Sequence, residues 1–138
     1  MARSGTNARD RVCADRARLG LLQCRRRRRA LELAVELGDR SETAVEMQGV
    51  AMAMAGCGHA AHALRLGGAA AAEFEALAID LSGIIFWSAL LERYLGRARA
   101  ELAEDAATAA WEEGRRTRFE HAIAVALDAR GPGAEPGI

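Results

Sequence analysis

TAVEMQGVAMAMAGCGHAAHALRLGGAAAA, residues 43–72, is the stretch of sequence that decides the fold. Its pattern predicts two helices folded back on each other around a turn at Gly56-Cys57-Gly58. Small residues recur along it, at Ala51, Gly58, Ala63 and Ala70. Paired helices need small side chains where their backbones approach, so these positions are expected to lie between the two helices. One hairpin cannot cover its own apolar face, and further helical pairs are therefore expected around it.

The rest of the chain also predicts helices, with almost no signal for strands. The predicted helices cover residues 8–23, 27–37, 42–55, 59–78, 84–104 and 105–113, and a last one begins near Thr117. Together they predict an all-α fold of antiparallel hairpins stacked as a short tetratricopeptide-like α-solenoid of about seven helices. The predicted single helical-repeat domain spans residues 8–129. Residues 1–7 and the glycine- and proline-rich residues 130–138 are expected to be disordered.

Several residues mark predicted helix ends. Gly38 suits the left-handed conformation that follows a helix, and Asp39 or Ser41 suits the N-cap of the next one. Gly114 is expected to end the helix that carries Trp111. Thr117 and Glu120 have the spacing of a capping box, in which both side chains satisfy free backbone N–H groups at the start of the last helix.

Composition favours closely packed helices in a reducing compartment. Hydrophobic residues make up 51% of the 138 residues but aromatic residues only 4%, so alanine supplies much of the apolar content. Three cysteines, at positions 13, 24 and 57, lack a C-x-x-C spacing, which is typical of free thiols. The longest apolar stretch, residues 76–91, is interrupted by Asp80 and is too short to span a bilayer. We expect a cytoplasmic protein that does not enter a membrane.

Charge is distributed unevenly although the formal net charge is zero. Residues 1–30 hold ten arginines and two aspartates, which give +8, and the remainder carries −8. Arg25, Arg26, Arg27, Arg28 and Arg29 are consecutive, and this run predicts either a turn between the first two helices, which we favour, or a solvated helical segment. Five consecutive arginines offer phosphates a charge but no single face, and no aromatic residue lies between them for base stacking. Nucleic acid is therefore the alternative partner, behind a protein or peptide.

No pattern in the chain predicts catalysis. A phosphate-binding loop needs a lysine, and the chain has none. Cys57, His59 and His62 have a metal-like spacing, but a fourth ligand is missing nearby, and we favour the simpler explanation of two surface histidines beside a turn. Acid pairs at residues 104–105 and 112–113 are typical of helix surfaces. We therefore expect no enzyme activity, metal or cofactor.

Large side chains in the helices supply the remaining candidate contacts. Met47, Met52 and Met54 suit either an adaptable binding groove or the core. Trp87 and Trp111 are expected to anchor the packing of one helix on the next, with a partner contact as the alternative for Trp111. The candidate partner-binding residues are therefore the arginine run with Met47, Met54 and Trp111.

Three segments resemble a known family. They are LELAVELGD at residues 31–39, VAMAMAGCGHAAHALRLGGAA at 50–70 and LAEDAATAAWEEGRRTRFEHAIAVAL at 102–127. This series is similar to the C-terminal helical-repeat region of LuxR-type and related signal-transducing ATPase regulators of bacteria. The chain departs from that pattern at residues 80–84, where the family has a proline-containing loop, and at Ala107, where it has phenylalanine.

The resemblance implies a protein-interaction or signal-sensing module. In the family, binding of a protein, peptide or small effector would bias an attached ATPase or DNA reader. The expected binding surface is the concave face lined by the first helix of each pair. The expected partner is a protein or peptide, a second copy of the chain included.

Overall fold

The computed structural model describes residues 8–128, apart from the side chains of residues 9–22. The predicted disordered ends, 1–7 and 130–138, lie outside these residues. The described part is all-helical and contains six helices: α1 Ala8–Leu37, α2 Arg40–Gly56, α3 Ala60–Ala76, α4 Ile85–Ala100, α5 Glu104–Arg116 and α6 Phe119–Ala126. None of these helices is long and apolar enough to cross a membrane.

Helix α1 is continuous, so the turn predicted near residues 24–26 was wrong. The segment from Leu21 to Leu37 contains neither glycine nor proline, and arginine is a good helix former. Charge alone therefore does not end the helix. This single helix, in place of the predicted 8–23 and 27–37, accounts for six helices where about seven were expected.

The two turns around α2 form as predicted. Gly38 has a φ of 71°, and Asp39 is the N-cap of α2, its carboxylate accepting from the backbone N–H of Glu42 at 3.1 Å. Gly58 has a φ of 85° in the turn between α2 and α3. Gly58 is thus needed for its backbone conformation, since no atom would meet a Cβ there within 4 Å. The expectation that it separates two close helices was wrong.

The predicted hairpin lies at the centre of the core. Ala51, Ala63 and Ala70 are all fully buried, together with the larger Leu64 and Leu66. Helix α3 packs on α2, α4, α5 and α6, whereas α1 packs mainly on α2. The hairpin is therefore covered by further helices, as its apolar content requires.

Helix α5 crosses α3 with their backbones in contact, at a place we call the α3–α5 crossing. A Cβ on Gly114 would overlap the backbone of Arg65, and one on Gly68 would overlap the backbone of Trp111. Gly114 therefore permits close approach and does not end the helix, which continues to Arg116. The prediction of a helix end at Gly114 was wrong for this reason.

The last helix begins without the predicted capping box. The Thr117 hydroxyl donates to the backbone carbonyl of Glu113 at 2.7 Å, so it belongs to the end of α5. The N-cap of α6 is Arg118, which makes no side-chain cap hydrogen bond. The short loop between the two helices takes Thr117 away from the position that a capping box needs.

Helix α4 is only partly buried. It begins at Ile85 and ends at Ala100, and Ala98 is its one fully buried residue among those described. Ile84, the first residue of the predicted helix 84–104, is 52% exposed, and Ile85 and Phe86 are more exposed still. The side chains of α4 therefore form the edge of the core and one wall of a surface groove.

Candidate binding groove

A groove runs along one face of α2 between α1 and α4, and we call it the α2 groove. Its floor consists of residues at helical spacing on a single face of α2: Gly49, Met52, Ala53 and Gly56. Gln23 and Arg27 of α1 form one wall, and Leu90 and Tyr94 of α4 form the other. The cavity volume is about 330 Å³, which is at the lower end of the range for ligand sites.

Two glycines leave the floor of the α2 groove without side chains at their positions. A Cβ on Gly49 would lie 3.2 Å from Cδ of Arg27, and one on Gly56 would lie 3.8 Å from the Tyr94 ring. Both contacts are with side chains and not with backbone. The two glycines thus leave space beside Arg27 and Tyr94 that any larger residue would fill.

Helices α2 and α4 run in the same direction beside the groove. Trp87 Nε1 donates to Oε1 of Gln48 at 2.7 Å near the start of α4, and Tyr94 lies against Gly56 at the end of α2. The contact that lies later along α2 therefore also lies later along α4, as parallel helices require. The indole N–H of Trp87 also gains a partner, which a half-buried tryptophan requires.

Arg27 gives the groove a positive charge. Among the side chains that the structure describes, none forms a hydrogen bond or ion pair with Arg27, and the charge of Arg27 acts on the carboxyl group of Glu46 one turn before Gly49. Burial raises the pKa of Glu46, the neighbouring Glu42 raises it further, and Arg27 opposes both effects. One Glu46 oxygen is buried without a hydrogen-bond partner among the described residues. The groove therefore combines apolar walls with an incompletely neutralised arginine.

The predicted arginine cluster is divided between several directions. Arg25, Arg26 and Arg29 are exposed, and Arg29 pairs with Glu32 at 2.9 Å. Arg27 lines the groove, while Nε of Arg28 is buried and has no hydrogen-bond partner among the described residues. The run thus presents no single basic face, as its position on a continuous helix dictates.

The remaining predicted contact residues lie mostly in the core. Met47 and Met54 are 0% and 1% exposed, so both fill the core, and Met52 is the methionine that reaches the groove floor. Trp111 is half-buried, and the guanidinium of Arg99 lies 5.0 Å from its ring centroid. Trp111 lines a second depression of about 430 Å³ with Leu91, Leu95 and Arg99, on the opposite side of α4 from the α2 groove.

The metal-like triplet is not assembled as a site. In the part of the chain that the structure describes, no three His, Cys, Asp or Glu side chains are arranged to hold a metal ion. Sγ of Cys57 instead lies 3.3 Å from Sγ of Cys24, and Nε2 of His62 is buried without a hydrogen-bond partner there. Burial and the nearby Arg65 lower the pKa of His62.

Sequence reasoning missed both the groove and the cysteine pair. The floor spacing i, i+3, i+4, i+7 was visible, but it gave no sign of what lay above it. Cys24 and Cys57 lie at comparable distances on either side of the turn at residues 38–39, which would bring them together in an antiparallel pair. The predicted helix break near residue 24 concealed this signal.

Comparisons with known proteins give no match: no family model, curated protein or solved structure is similar to this chain.

Proposed function

We propose that the chain is a non-enzymatic helical interaction module that binds a peptide segment of a protein partner in the α2 groove. The observation that carries the proposal is the groove itself, with a glycine-containing floor between the walls of α1 and α4. Helices α2 and α4 lie side by side in one direction, as the first helices of successive pairs would in a tetratricopeptide-like array. Their arrangement fits the concave binding face that a tetratricopeptide-like array would present.

The groove favours an amphipathic segment with an acidic residue. Leu90, Met52 and the Tyr94 ring offer apolar contact, and Met52 adapts to irregular shapes. No described carboxylate lies within hydrogen-bond distance of the Arg27 guanidinium. A carboxylate on the ligand would fit the geometry of this group. Small floor residues let the backbone of such a segment approach α2 closely.

The resemblance to LuxR-type and related regulators gives this binding a role. In that interpretation, the module senses a cytoplasmic protein or effector and passes the signal to a partner. The nucleic-acid alternative has less support, because Arg27 and Arg28 turn towards the body of the protein and Glu32 pairs Arg29. Three outward arginines would neutralise few phosphates.

A displayed library of random peptides, selected against the full chain, tests the proposal directly. Enriched peptides are expected to carry an acidic residue beside apolar ones. Arg27→Glu should weaken their binding by at least about tenfold, the loss expected for one desolvated charge pair. Arg26→Glu is the matched control, since it makes the same charge change on an exposed neighbour and should leave binding within about twofold.

A second pair of variants tests the shape of the groove. Gly56→Leu places a side chain in the space beside Tyr94 and should also weaken binding, whereas Gly96→Leu on α4 meets no atom within 4 Å of its Cβ. Equal effects of Arg27→Glu and Arg26→Glu, with no effect of Gly56→Leu, would overturn the groove proposal. Salt-sensitive binding of a DNA or RNA duplex, lost with Arg25, Arg26 and Arg29 changed to serine, would favour the alternative.

A further inference from the structure

Two thiols from distant parts of the sequence meet at one end of the α2 groove. Sγ of Cys24, on α1, lies 3.3 Å from Sγ of Cys57, in the turn after α2, although the residues are 33 positions apart. Both are free thiols, Cys24 is buried and Cys57 is partly exposed. A disulfide requires the sulfurs to approach to about 2 Å, so the two side chains must move towards each other before the bond can form.

We propose that Cys24 and Cys57 form a redox modification site, which a peroxide converts into an intramolecular disulfide. The proposal goes beyond the binding function and does not depend on what occupies the groove. The contact itself adds little stability, because neither sulfur gains much from a weak thiol hydrogen bond. The juxtaposition does permit a covalent bond between α1 and the turn after α2.

The reaction divides naturally between the two cysteines. Cys57 is the more exposed, so its sulfur attacks the peroxide, the O–O bond breaks, and a sulfenic acid and one water form. The Cys24 sulfur then attacks the Cys57 sulfur, the S–O bond breaks, and the hydroxyl leaves with the Cys24 proton as a second water. Two thiols and one hydrogen peroxide thus give one disulfide and two waters.

The surroundings make Cys24 the less reactive of the two thiols towards an external oxidant. Burial raises the pKa of the Cys24 thiol to about 12, with a further contribution from the Cys57 thiol, while Arg28 acts in the opposite direction. Cys24 therefore remains a protected thiol that reacts slowly with external oxidants. Its position against Cys57 supplies the local concentration for the resolving step.

The disulfide would fasten α1 to the turn between α2 and α3. Helix α1 packs mainly on α2, so it is the helix with the most to gain from a covalent link. Gln23 and Gly56, the neighbours of the two cysteines, both line the α2 groove. Oxidation would therefore fix one wall of the groove relative to its floor.

The test uses the full chain with Cys13→Ser, which removes the third thiol. After reduction and desalting, a small excess of hydrogen peroxide should remove two hydrogen atoms from the intact mass without forming dimers. Proteolysis should yield one peptide pair linking residues 24 and 57, and dithiothreitol should restore the mass. The midpoint temperature of thermal unfolding should be about 10 °C higher for the oxidised form than for the reduced form, because the disulfide closes a long loop.

A shifted cysteine provides the matched control. Cys24→Ser with Arg25→Cys, in the same background, keeps the loop length nearly constant but places the thiol on the exposed side of α1. Its intramolecular disulfide should form roughly ten times more slowly if geometry directs the reaction. Equal rates, or a Cys13→Ser protein that gives only sulfenic acid or dimers, would overturn the proposal, as would a link from Cys13 to Cys24 or Cys57 in the parent chain.

Discussion

Glycines serve opposite purposes at the α3–α5 crossing and in the α2 groove. At the crossing, Gly68 and Gly114 let two backbones touch, and an added Cβ would overlap backbone atoms. In the groove, Gly49 and Gly56 face side chains, and the nearest atoms to an added Cβ belong to Arg27 at Gly49 and to Tyr94 at Gly56. One pair of glycines therefore supports the packing of the molecule, and the other leaves space on its surface. The difference implies that the two regions should respond differently to the same substitution.

The largest effect is expected at the crossing itself. Gly114→Ala should destabilise the protein by about 3 kcal/mol, since α3 and α5 must move apart to accept the methyl group. Urea unfolding measures the loss. Gly96→Ala is the control, because it lies within α4 with no atom near its Cβ and should stabilise the helix by about 0.5–1 kcal/mol. A Gly114→Ala protein as stable as the parent would show that the crossing is loose.

The sequence predicts the core of the α2–α3 hairpin better than it predicts the crossing or the groove. Ala51, Ala63 and Ala70 were identified as buried because small residues at regular spacing are typical of close helices. The role of Gly114 was not predicted, since a glycine near a predicted helix end is compatible with a C-cap as well as with a close approach of two helices. The path of α5 over α3 decides between these, and that path depends on packing by distant residues.

The groove was equally hidden from sequence reasoning. Met47 and Met54 were candidate contacts because methionine suits adaptable surfaces, yet both lie in the core, and Met52 faces the groove. The rotation of α2 about its axis decides which methionines lie in the core and which one faces the groove. That rotation is set by the helices on both sides, and periodicity does not specify it where α2 is apolar all round, at residues 49–56.

The second largest effect on stability is expected at the ion pairs that join α2 to α3 and α6. Arg40 pairs with Glu73, whose side chain is 9% exposed, and reaches Glu120 at 3.1 Å. Arg40→Met leaves the Glu73 carboxylate buried without its cation and should destabilise the protein by about 2 kcal/mol, less than for a fully buried pair because Arg40 is half exposed. Urea unfolding again provides the measurement.

The control for Arg40→Met is the same substitution in an exposed pair. Arg29 and Glu32 are both accessible, so Arg29→Met should change stability by less than about 0.5 kcal/mol. Glu73→Gln in the Arg40→Met background should recover part of the loss, since it removes the unpaired charge. Equal effects of the two arginine substitutions would mean that burial of Glu73 does not matter.

A smaller effect, of opposite sign, is expected in the groove. Gly49→Ala gains helix propensity, and the neighbour of its new methyl group is the flexible Arg27 side chain. Arg27 can move aside, so the substitution should stabilise the protein by about 0.5 kcal/mol. Chemical unfolding measures this change. Destabilisation by more than about 1 kcal/mol would indicate that Arg27 is held rigidly and that the groove resembles the crossing.

The smallest effects concern two glutamates, one in each region, whose pKa values shift in opposite directions. Burial and Glu42 raise the pKa of Glu46 beside the groove. A hydrogen bond from Arg115, and then its charge, lower the pKa of Glu75 beside the crossing. The Glu46 contribution to stability is therefore complete below the ordinary glutamate value of 4.5 and is lost as the pH rises through the raised pKa.

For Glu75 the sign reverses: its contribution is present above the ordinary value of 4.5 and is lost as the pH falls through the lowered pKa. At neutral pH, Glu46→Gln should thus stabilise the protein by ~0.3 kcal/mol, a small gain because this side chain is only partly buried and solvent still screens its charge. Glu75→Gln should destabilise it slightly. Unfolding in urea at neutral and strongly acidic pH measures both, and both effects should vanish in acid, where the parent carboxyl groups are protonated. If both substitutions changed stability in the same direction at neutral pH, a negative charge would have the same effect on stability beside the groove as beside the crossing.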